Sequence, residues 1–112
     1  MISKPILIVD DEKNIRLTLS RTLETLGVES DSAEDGEEAL AKLKEKEFGL
    51  ILLDLHMPGV DGMEVLRQVR EIRPDIRVVI ITAYGTVELA VEAMKLGAVD
   101  FVQKPFIPEE IR

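Results

Sequence analysis

Five side chains that could bind a metal or react with phosphate stand directly after short runs of apolar residues. Asp54 shows the pattern most clearly, because four large apolar residues precede it and a Pro-Gly turn follows closely. A single polar residue in such a place is more often a helix cap or a turn residue than part of a site. Four separate segments that end in this way favour a common site. The five are Asp10 and Asp11 after residues 5–9, Asp54 after 50–53, Thr82 after 76–81 and Lys104 after 98–103.

The charges of this set indicate a bound cation. Three carboxylates and one ammonium leave two net negative charges in a small volume. Like charges held this close raise one another's pKa or attract a cation. Ligands that are all oxygen favour Mg²⁺ or Mn²⁺, and Mg²⁺ commonly combines one or two carboxylates with water and a phosphate oxygen. The sequence therefore predicts a site for Mg²⁺, or Mn²⁺, beside Asp10, Asp11 and Asp54.

The same residues could support the transfer of a phosphoryl group. A carboxylate can attack phosphorus and form an acyl phosphate. The metal and Lys104 would neutralise charge on the transferred group, and the Thr82 hydroxyl could donate a hydrogen bond to one of its oxygens. The chain has no cysteine, which excludes disulfides and thiolate chemistry. Its one histidine, His56, is expected to be exposed in the loop after Asp54.

The elements that position these residues alternate between strands and helices. The apolar runs are short and do not alternate with polar residues, which is typical of parallel strands buried on both faces. Segments with apolar residues at helical spacing separate them, so the order is strand then helix, five times. This order predicts right-handed crossovers and a parallel sheet with helices on both faces. The fifth helix barely begins at residues 108–110, so we expect either a piece of a longer protein or another covering for that face.

Composition narrows the function classes. A length of 112 residues suits one domain. The net charge of −8 argues against direct binding of DNA or RNA, which needs a basic face. No apolar stretch approaches the roughly 20 residues that span a bilayer, and the N-terminus lacks a signal-peptide pattern. We therefore expect a cytoplasmic protein with no membrane contact.

Four motifs together resemble the receiver domains of two-component response regulators. The resemblance implies a flavodoxin-like α/β fold, a doubly wound five-stranded parallel sheet of strand order 2-1-3-4-5 with a truncated fifth helix. It also implies that residues 1–112 form one receiver domain in the N-terminal part of a longer regulator. The runs 82–88 and 97–101 are most similar to receivers of nitrogen-regulator-type transcription activators. The motifs are Ile8-Val9-Asp10-Asp11-Glu12, residues 52–62, Ile81-Thr82-Ala83 and Lys104-Pro105-Phe106.

The resemblance also implies how phosphate and metal would be held. Asp54 would accept a phosphoryl group from a sensor histidine kinase. Asp11 and Asp54 would bind Mg²⁺ directly, together with the backbone carbonyl of His56, and Asp10 would act largely through water. The domain would assist its own phosphorylation and dephosphorylation but would turn over no separate substrate.

Signal output is implied by the same resemblance. Thr82 and Lys104 would contact the phosphoryl group, Thr82 would move toward it, and Phe101 would turn inward with that movement. Phe101 stands where tyrosine is commoner in such domains. The change would control a downstream output domain or the formation of a homodimer. The output domain would bind DNA, would be accompanied by an ATPase domain and would act in transcription regulation.

The helix predicted from residue 86 to residue 96 has apolar residues on two faces, which suggests that it is buried twice. We predict that one face packs on the sheet and that the other is an output surface that contacts a partner protomer or a downstream domain. The sheet-facing set is Val87, Ala90, Val91 and Met94, and the output-surface set is Leu89, Ala93 and Leu96.

Two other classes use comparable sheets. An aspartate-nucleophile phosphatase of the haloacid-dehalogenase kind typically has a second aspartate two residues after the nucleophile, where this chain has His56, and usually carries a cap domain. A flavin-binding flavodoxin-like module would need a phosphate loop rich in Ser, Thr and Gly, where this chain has Asp10-Asp11-Glu12.

Overall fold

The computed structural model describes residues 4–55, 61–82 and 86–103, in which strands and helices alternate along the chain. Each apolar run of the sequence forms a strand. The elements are β1 (Ile6–Val9), α1 (Lys13–Thr25), β2 (Ser30–Ala33), α2 (Gly36–Glu45), β3 (Leu50–Leu53), α3 (Gly62–Ile72), β4 (Arg77–Thr82), α4 (Val87–Lys95) and β5 (Asp100–Gln103). The predicted start of a fifth helix at residues 108–110 lies outside the described residues.

All five strands pair in parallel in one sheet of order β2-β1-β3-β4-β5, which confirms the predicted topology. Val9 lies opposite Leu53 in the central pair, and Leu53 lies opposite Ile80 in the next pair. The carboxyl ends of β1 and β3 are therefore level with each other. Asp10, which follows Val9, is therefore a neighbour of Asp54, which follows Leu53.

Alternate residues of the strands face two separate hydrophobic cores. Leu7 and Val9 of β1 belong to the core under α2, α3 and α4, whereas Ile8 belongs to the core under α1. Both kinds of residue are almost fully buried. The continuous apolar runs are therefore explained by burial on two faces, as expected for inner parallel strands.

The edge strand β2 is tied to α2 by a polar contact. Lys42 Nζ donates to Asp31 Oδ1 at 2.9 Å and to the Ser32 carbonyl at 2.5 Å, and Lys46 Nζ lies 3.7 Å from Asp31 Oδ2. Burial raises the pKa of the Asp31 carboxyl, but the bond from Lys42, the bond from the Ser32 N–H and the two lysine charges outweigh it and hold that pKa below its ordinary value. The hydrogen bond to Asp31 raises the pKa of the Lys42 ammonium.

The packing of α4 is the reverse of the prediction. Ala93 is fully buried, and Leu89 and Leu96 pack against the core, so the face predicted as an output surface meets the sheet instead of solvent. The stripe that was predicted to pack inward is turned to solvent: Val87 is 78% exposed, Val91 48% and Met94 47%, while Ala90 is half-buried.

The same spacing of apolar residues occurs on both sides of α4, so periodicity alone could not choose between them. In the structure, the buried residue of α4 is Ala93, so the inward face is the one that carries this small side chain.

Within the part of the chain that the structure describes, none of the helices has the length and apolar character required to cross a membrane.

Candidate functional site

The paired ends of β1 and β3 bring two aspartates side by side. The Asp54 N–H donates to the Val9 carbonyl at 2.9 Å, and the Asp10 N–H donates to the Ala33 carbonyl at 3.1 Å. The hydrogen-bonded ladder thus extends one residue beyond the strands and includes both aspartates. Neighbouring strands lie about 4.8 Å apart, so the main chains of Asp10 and Asp54 are close neighbours.

Both aspartates are buried. Asp10 is 2% exposed and Asp54 is 4% exposed. A buried carboxylate is stable only if charge partners, hydrogen bonds or a metal compensate for its lost hydration. One such bond is visible at Asp10, whose Oδ1 accepts from the Glu12 N–H at 2.9 Å and is thereby aimed at the start of α1.

Three carboxylates lie close together directly after β1. Carboxylate oxygens of Asp10, Asp11 and Glu12 all lie within 4.8 Å of one another, with Asp10 buried and the other two exposed. Asp54 is not a member of this group. The sequence analysis predicted Asp10 and Asp11 as metal ligands but not Glu12, although three consecutive acidic residues after a buried strand were a visible signal.

Thr82 ends β4 at the same edge and is 1% exposed. It lies two residues beyond Ile80, the partner of Leu53, and opposite Gln103 of β5. Lys104 follows Gln103 in the sequence, but it lies outside the described residues, as does His56. Of the seven residues predicted to act at phosphate, metal or switch, the structure therefore describes Asp10, Asp11, Asp54, Thr82 and Phe101.

Phe101 of β5 lies on the α4 side of the sheet. It is half-buried and packs against the core that contains Ala93. Its strand partner is Ile80, two residues before Thr82. A movement of Phe101 would therefore occur between the site edge and α4.

Two residues that the sequence analysis did not single out hold the main chain of the site. Gly62, at the start of α3, donates its N–H to the Leu55 carbonyl at 3.3 Å. A Cβ atom at this position would lie 2.4 Å from Leu55 Cα and 2.8 Å from the Asp54 carbonyl oxygen. Arg16, in the first turns of α1, donates from Nη1 to the Asp10 carbonyl at 2.6 Å. Neither contact has a signature in a single sequence.

The comparison with known families decides the class. Residues 6–112 match the response regulator receiver domain family. The chain belongs to this family. As a receiver domain it is a phosphoacceptor module of two-component signalling, and the family assignment decides against both the phosphatase and the flavin-binding alternatives.

Relatives of the receiver include short and long proteins. The receiver is 39% identical over 112 residues to sporulation initiation phosphotransferase F of Bacillus subtilis strain 168, and the match covers 100% of this chain and 90% of that protein. It is 39% identical over 103 residues to the DNA-binding transcriptional regulator NtrC of Salmonella typhimurium strain LT2, covering 92% of this chain but only 22% of that protein. The second match agrees with the resemblance to nitrogen-regulator-type activators.

A solved structure shows the same fold. The CheY-like response regulator receiver domain protein from Methanospirillum hungatei JF-1 superimposes on the receiver with a TM-score of 0.94 at 33% identity, over 98% of this chain and 88% of that one. Receiver domains generally bind Mg²⁺ at an acidic pocket and work with histidine kinases and output domains. In this receiver the carboxylates of Asp10, Asp11 and Glu12 form an acidic group after the carboxyl end of β1.

Proposed function

We propose that Asp54 is the phosphoacceptor of this receiver and that a sensor histidine kinase is the donor. An Asp54 carboxylate oxygen would attack phosphorus and form the acyl phosphate bond, while the bond from phosphorus to the kinase imidazole nitrogen breaks and that imidazole departs. The observation that carries the proposal is that Asp54 is buried beside Asp10, where the carboxyl ends of β1 and β3 lie side by side. This position puts the acceptor next to the acidic group of Asp10, Asp11 and Glu12, which could hold the cation that phosphoryl transfer needs.

The donor set suits a small, hard cation. We assign direct coordination of Mg²⁺, or Mn²⁺, to Asp11, Asp54 and the backbone carbonyl of His56, with Asp10 acting mainly through water. The mixture of buried and exposed carboxylates supports this, because Mg²⁺ usually keeps several waters and binds only one or two carboxylates. When bound, the ion would neutralise the charge on the oxygens of the phosphoryl group.

Thr82 and Lys104 would complete the contacts to the phosphoryl group. The Thr82 hydroxyl would donate to one oxygen and the Lys104 ammonium would pair with another. The same arrangement would assist hydrolysis of the acyl phosphate, so the domain would act on its own phosphate and turn over no separate substrate.

The output would lie at α4. Movement of Thr82 toward the phosphate, with an inward turn of Phe101, would shift the packing of α4 between two states. The exposed stripe of Val87, Val91 and Met94 would then be presented differently to a downstream output domain in the same polypeptide. We further propose that residues 1–112 form the N-terminal part of a longer transcription regulator, with an ATPase domain and a homodimer. The length of relatives such as NtrC, of which the match covers only 22%, supports a longer protein.

The test is the intact mass after incubation with acetyl phosphate and Mg²⁺. We expect the wild-type receiver and Asp75→Asn to gain one phosphoryl group that hydroxylamine removes, because Asp75 is exposed in the turn before β4, at the opposite edge of the sheet. Asp54→Asn should gain none. An adduct of equal yield on Asp54→Asn would reject Asp54 as the acceptor.

A further inference from the structure

Asp10 is held from three directions, and one of them is a long side chain. Its N–H donates to the Ala33 carbonyl at 3.1 Å and its Oδ1 accepts from the Glu12 N–H at 2.9 Å. Its carbonyl oxygen accepts from Arg16 Nη1 at 2.6 Å, across six residues of sequence. The first two contacts are made by the sheet and the chain turn, whereas the third depends on the identity of one residue.

The Asp10 carbonyl belongs to the peptide that links Asp10 to Asp11. Holding this carbonyl sets the plane of the peptide and therefore the direction in which Asp11 leaves the chain. Asp11 is exposed, so burial does not orient its carboxylate. A hydrogen bond at the preceding carbonyl is then an effective way to orient it.

The location of Arg16 is unfavourable on simple electrostatic grounds. A cation near a helix N-terminus opposes the helix dipole, and a cation beside an acidic group weakens the attraction of that group for a metal ion. A partner that holds the ligands in place has the opposite effect on metal binding. The two roles of Arg16 therefore predict opposite changes in metal affinity when its guanidinium is removed.

We propose that Arg16 is a positioning residue of the receiver site, which holds the Asp10–Asp11 peptide so that the Asp11 carboxylate is preorganised for the divalent cation. This inference rests on the proposed metal site but not on the identity of the phosphoacceptor. The guanidinium suits the task because its planar donors hold one direction, whereas a lysine ammonium has no fixed plane.

The first test is Mn²⁺ binding to the unphosphorylated receiver, measured by electron paramagnetic resonance of the free ion. Arg16→Met should weaken binding by about 10-fold or more, which is the usual effect of removing a partner that orients a metal ligand. Arg16→Lys should recover part of the loss. The control is Arg21→Met, an exposed arginine of the same helix, which should bind as wild type does.

Unchanged or tighter Mn²⁺ binding by Arg16→Met would overturn the proposal, since either result would mean that the arginine acts only through its charge or not at all. No binding by the wild-type receiver would overturn it as well. Binding that follows the expected order, with no phosphorylation of Asp54, would reject the phosphoacceptor proposal and leave the role of Arg16 intact.

A second readout needs neither metal nor phosphate. The ¹³C resonance of the Asp10 carbonyl and the amide resonances of Asp11 should shift in Arg16→Met and Arg16→Lys, and they should not shift in Arg21→Met. Because carbonyl shifts report the hydrogen bond itself, an unshifted Asp10 carbonyl in a folded Arg16→Met variant would overturn the proposal. If that variant does not fold, Arg16→Lys supplies the same test.

Discussion

At the scale of single residues, hydrogen bonds to main-chain atoms hold Asp10 and Asp54, the two buried aspartates of the site. Asp10 is oriented by the Ala33 carbonyl, the Glu12 N–H and the Arg16 guanidinium. The main chain just after Asp54 is held by Gly62, whose N–H donates to the Leu55 carbonyl at 3.3 Å. Candidates for the reactive residues could be named from the sequence, because chemistry restricts their types. Their supports could not, because many residue types can supply a backbone contact.

Gly62→Ala should test how closely α3 approaches the acceptor. The added Cβ would lie 2.4–2.9 Å from backbone atoms of Asp54 and Leu55, which cannot rotate away as a side chain could. We expect a loss of about 1–3 kcal/mol in the free energy of unfolding, as for other overpacked sites. Urea denaturation measures this loss.

The matched control for that experiment is Gly49→Ala. Its nearest neighbours would be Lys4 Cβ at 3.4 Å and the Lys4 carbonyl oxygen at 3.7 Å, both at ordinary van der Waals distance, so a small change in stability is expected. Equal effects of the two substitutions would mean that the close approach of α3 to Asp54 does not matter for stability.

At the scale of elements, the strands were predictable and their starting points were not. The apolar Val28 lies outside β2, which begins at Ser30, because the Val28 N–H still bonds to the Leu23 carbonyl of α1 at 2.9 Å. The strand expected from Ala98 begins at Asp100 for the same reason, since the Ala98 N–H bonds to the Ala93 carbonyl at 3.0 Å.

Each of these helices closes through a glycine of positive φ, Gly27 at 77° and Gly97 at 106°, and the next residue completes the closure. The glycines were visible in the sequence. The sequence did not show that the residue after each glycine, Val28 or Ala98, belongs to the end of the helix and not to the next strand.

The reversed orientation of α4 leads to a test with two substitutions on one helix. Ala93→Leu adds volume at a fully buried position and should lower the free energy of unfolding by about 1–3 kcal/mol. Val91→Leu adds one methylene at a position that is 48% exposed and should change it by less than about 0.5 kcal/mol. Thermal or urea unfolding measures both changes. A larger loss of stability for Val91→Leu than for Ala93→Leu would support the orientation predicted from the sequence, in which Val91 faces the sheet.

The contact between α2 and β2 should make stability depend on pH. The pKa of Asp31 is lower in the folded state than its ordinary value of 3.8, so its contribution is present above that value and is lost as pH falls through the folded pKa. The pKa of Lys42 is raised above 10.5, so its contribution is present below that value and is lost as pH rises through the folded pKa. The contact is therefore at full strength between these limits.

Urea titrations from about pH 5 downward would measure the acid limb. We expect Asp31→Asn to reduce the loss of stability in that range, and Lys42→Met to reduce it similarly because the Asp31 carboxylate then lacks its main partner. A double variant should behave like either single variant. Additive effects in the double variant would mean that Asp31 and Lys42 contribute independently of each other.

At the scale of the whole molecule, the site and the exposed face of α4 are connected through β4 and β5. Thr82 ends β4 beside the acidic edge, Phe101 lies opposite Ile80, and Phe101 packs on the same core as Ala93. The sequence could identify both the acidic edge and α4. The first is marked by residues that can bind metal or phosphate, and the second by apolar residues at helical spacing. It could not identify which side of α4 is free, and that side decides which residues a partner would contact.

Thr82→Val should separate phosphorylation from its effect on α4. The substitution keeps the shape of a side chain that is 1% exposed and removes the hydroxyl that would follow the phosphoryl group. We expect Asp54 to be phosphorylated by acetyl phosphate still, whereas most of the accompanying change in amide hydrogen exchange along Val87–Lys95 should be lost. Thr82→Ser keeps the hydroxyl and should retain that change. If α4 responds equally in Thr82→Val and wild type, the signal reaches the exposed stripe without the Thr82 hydroxyl, and the route through Phe101 would have to begin at another group that contacts the phosphate.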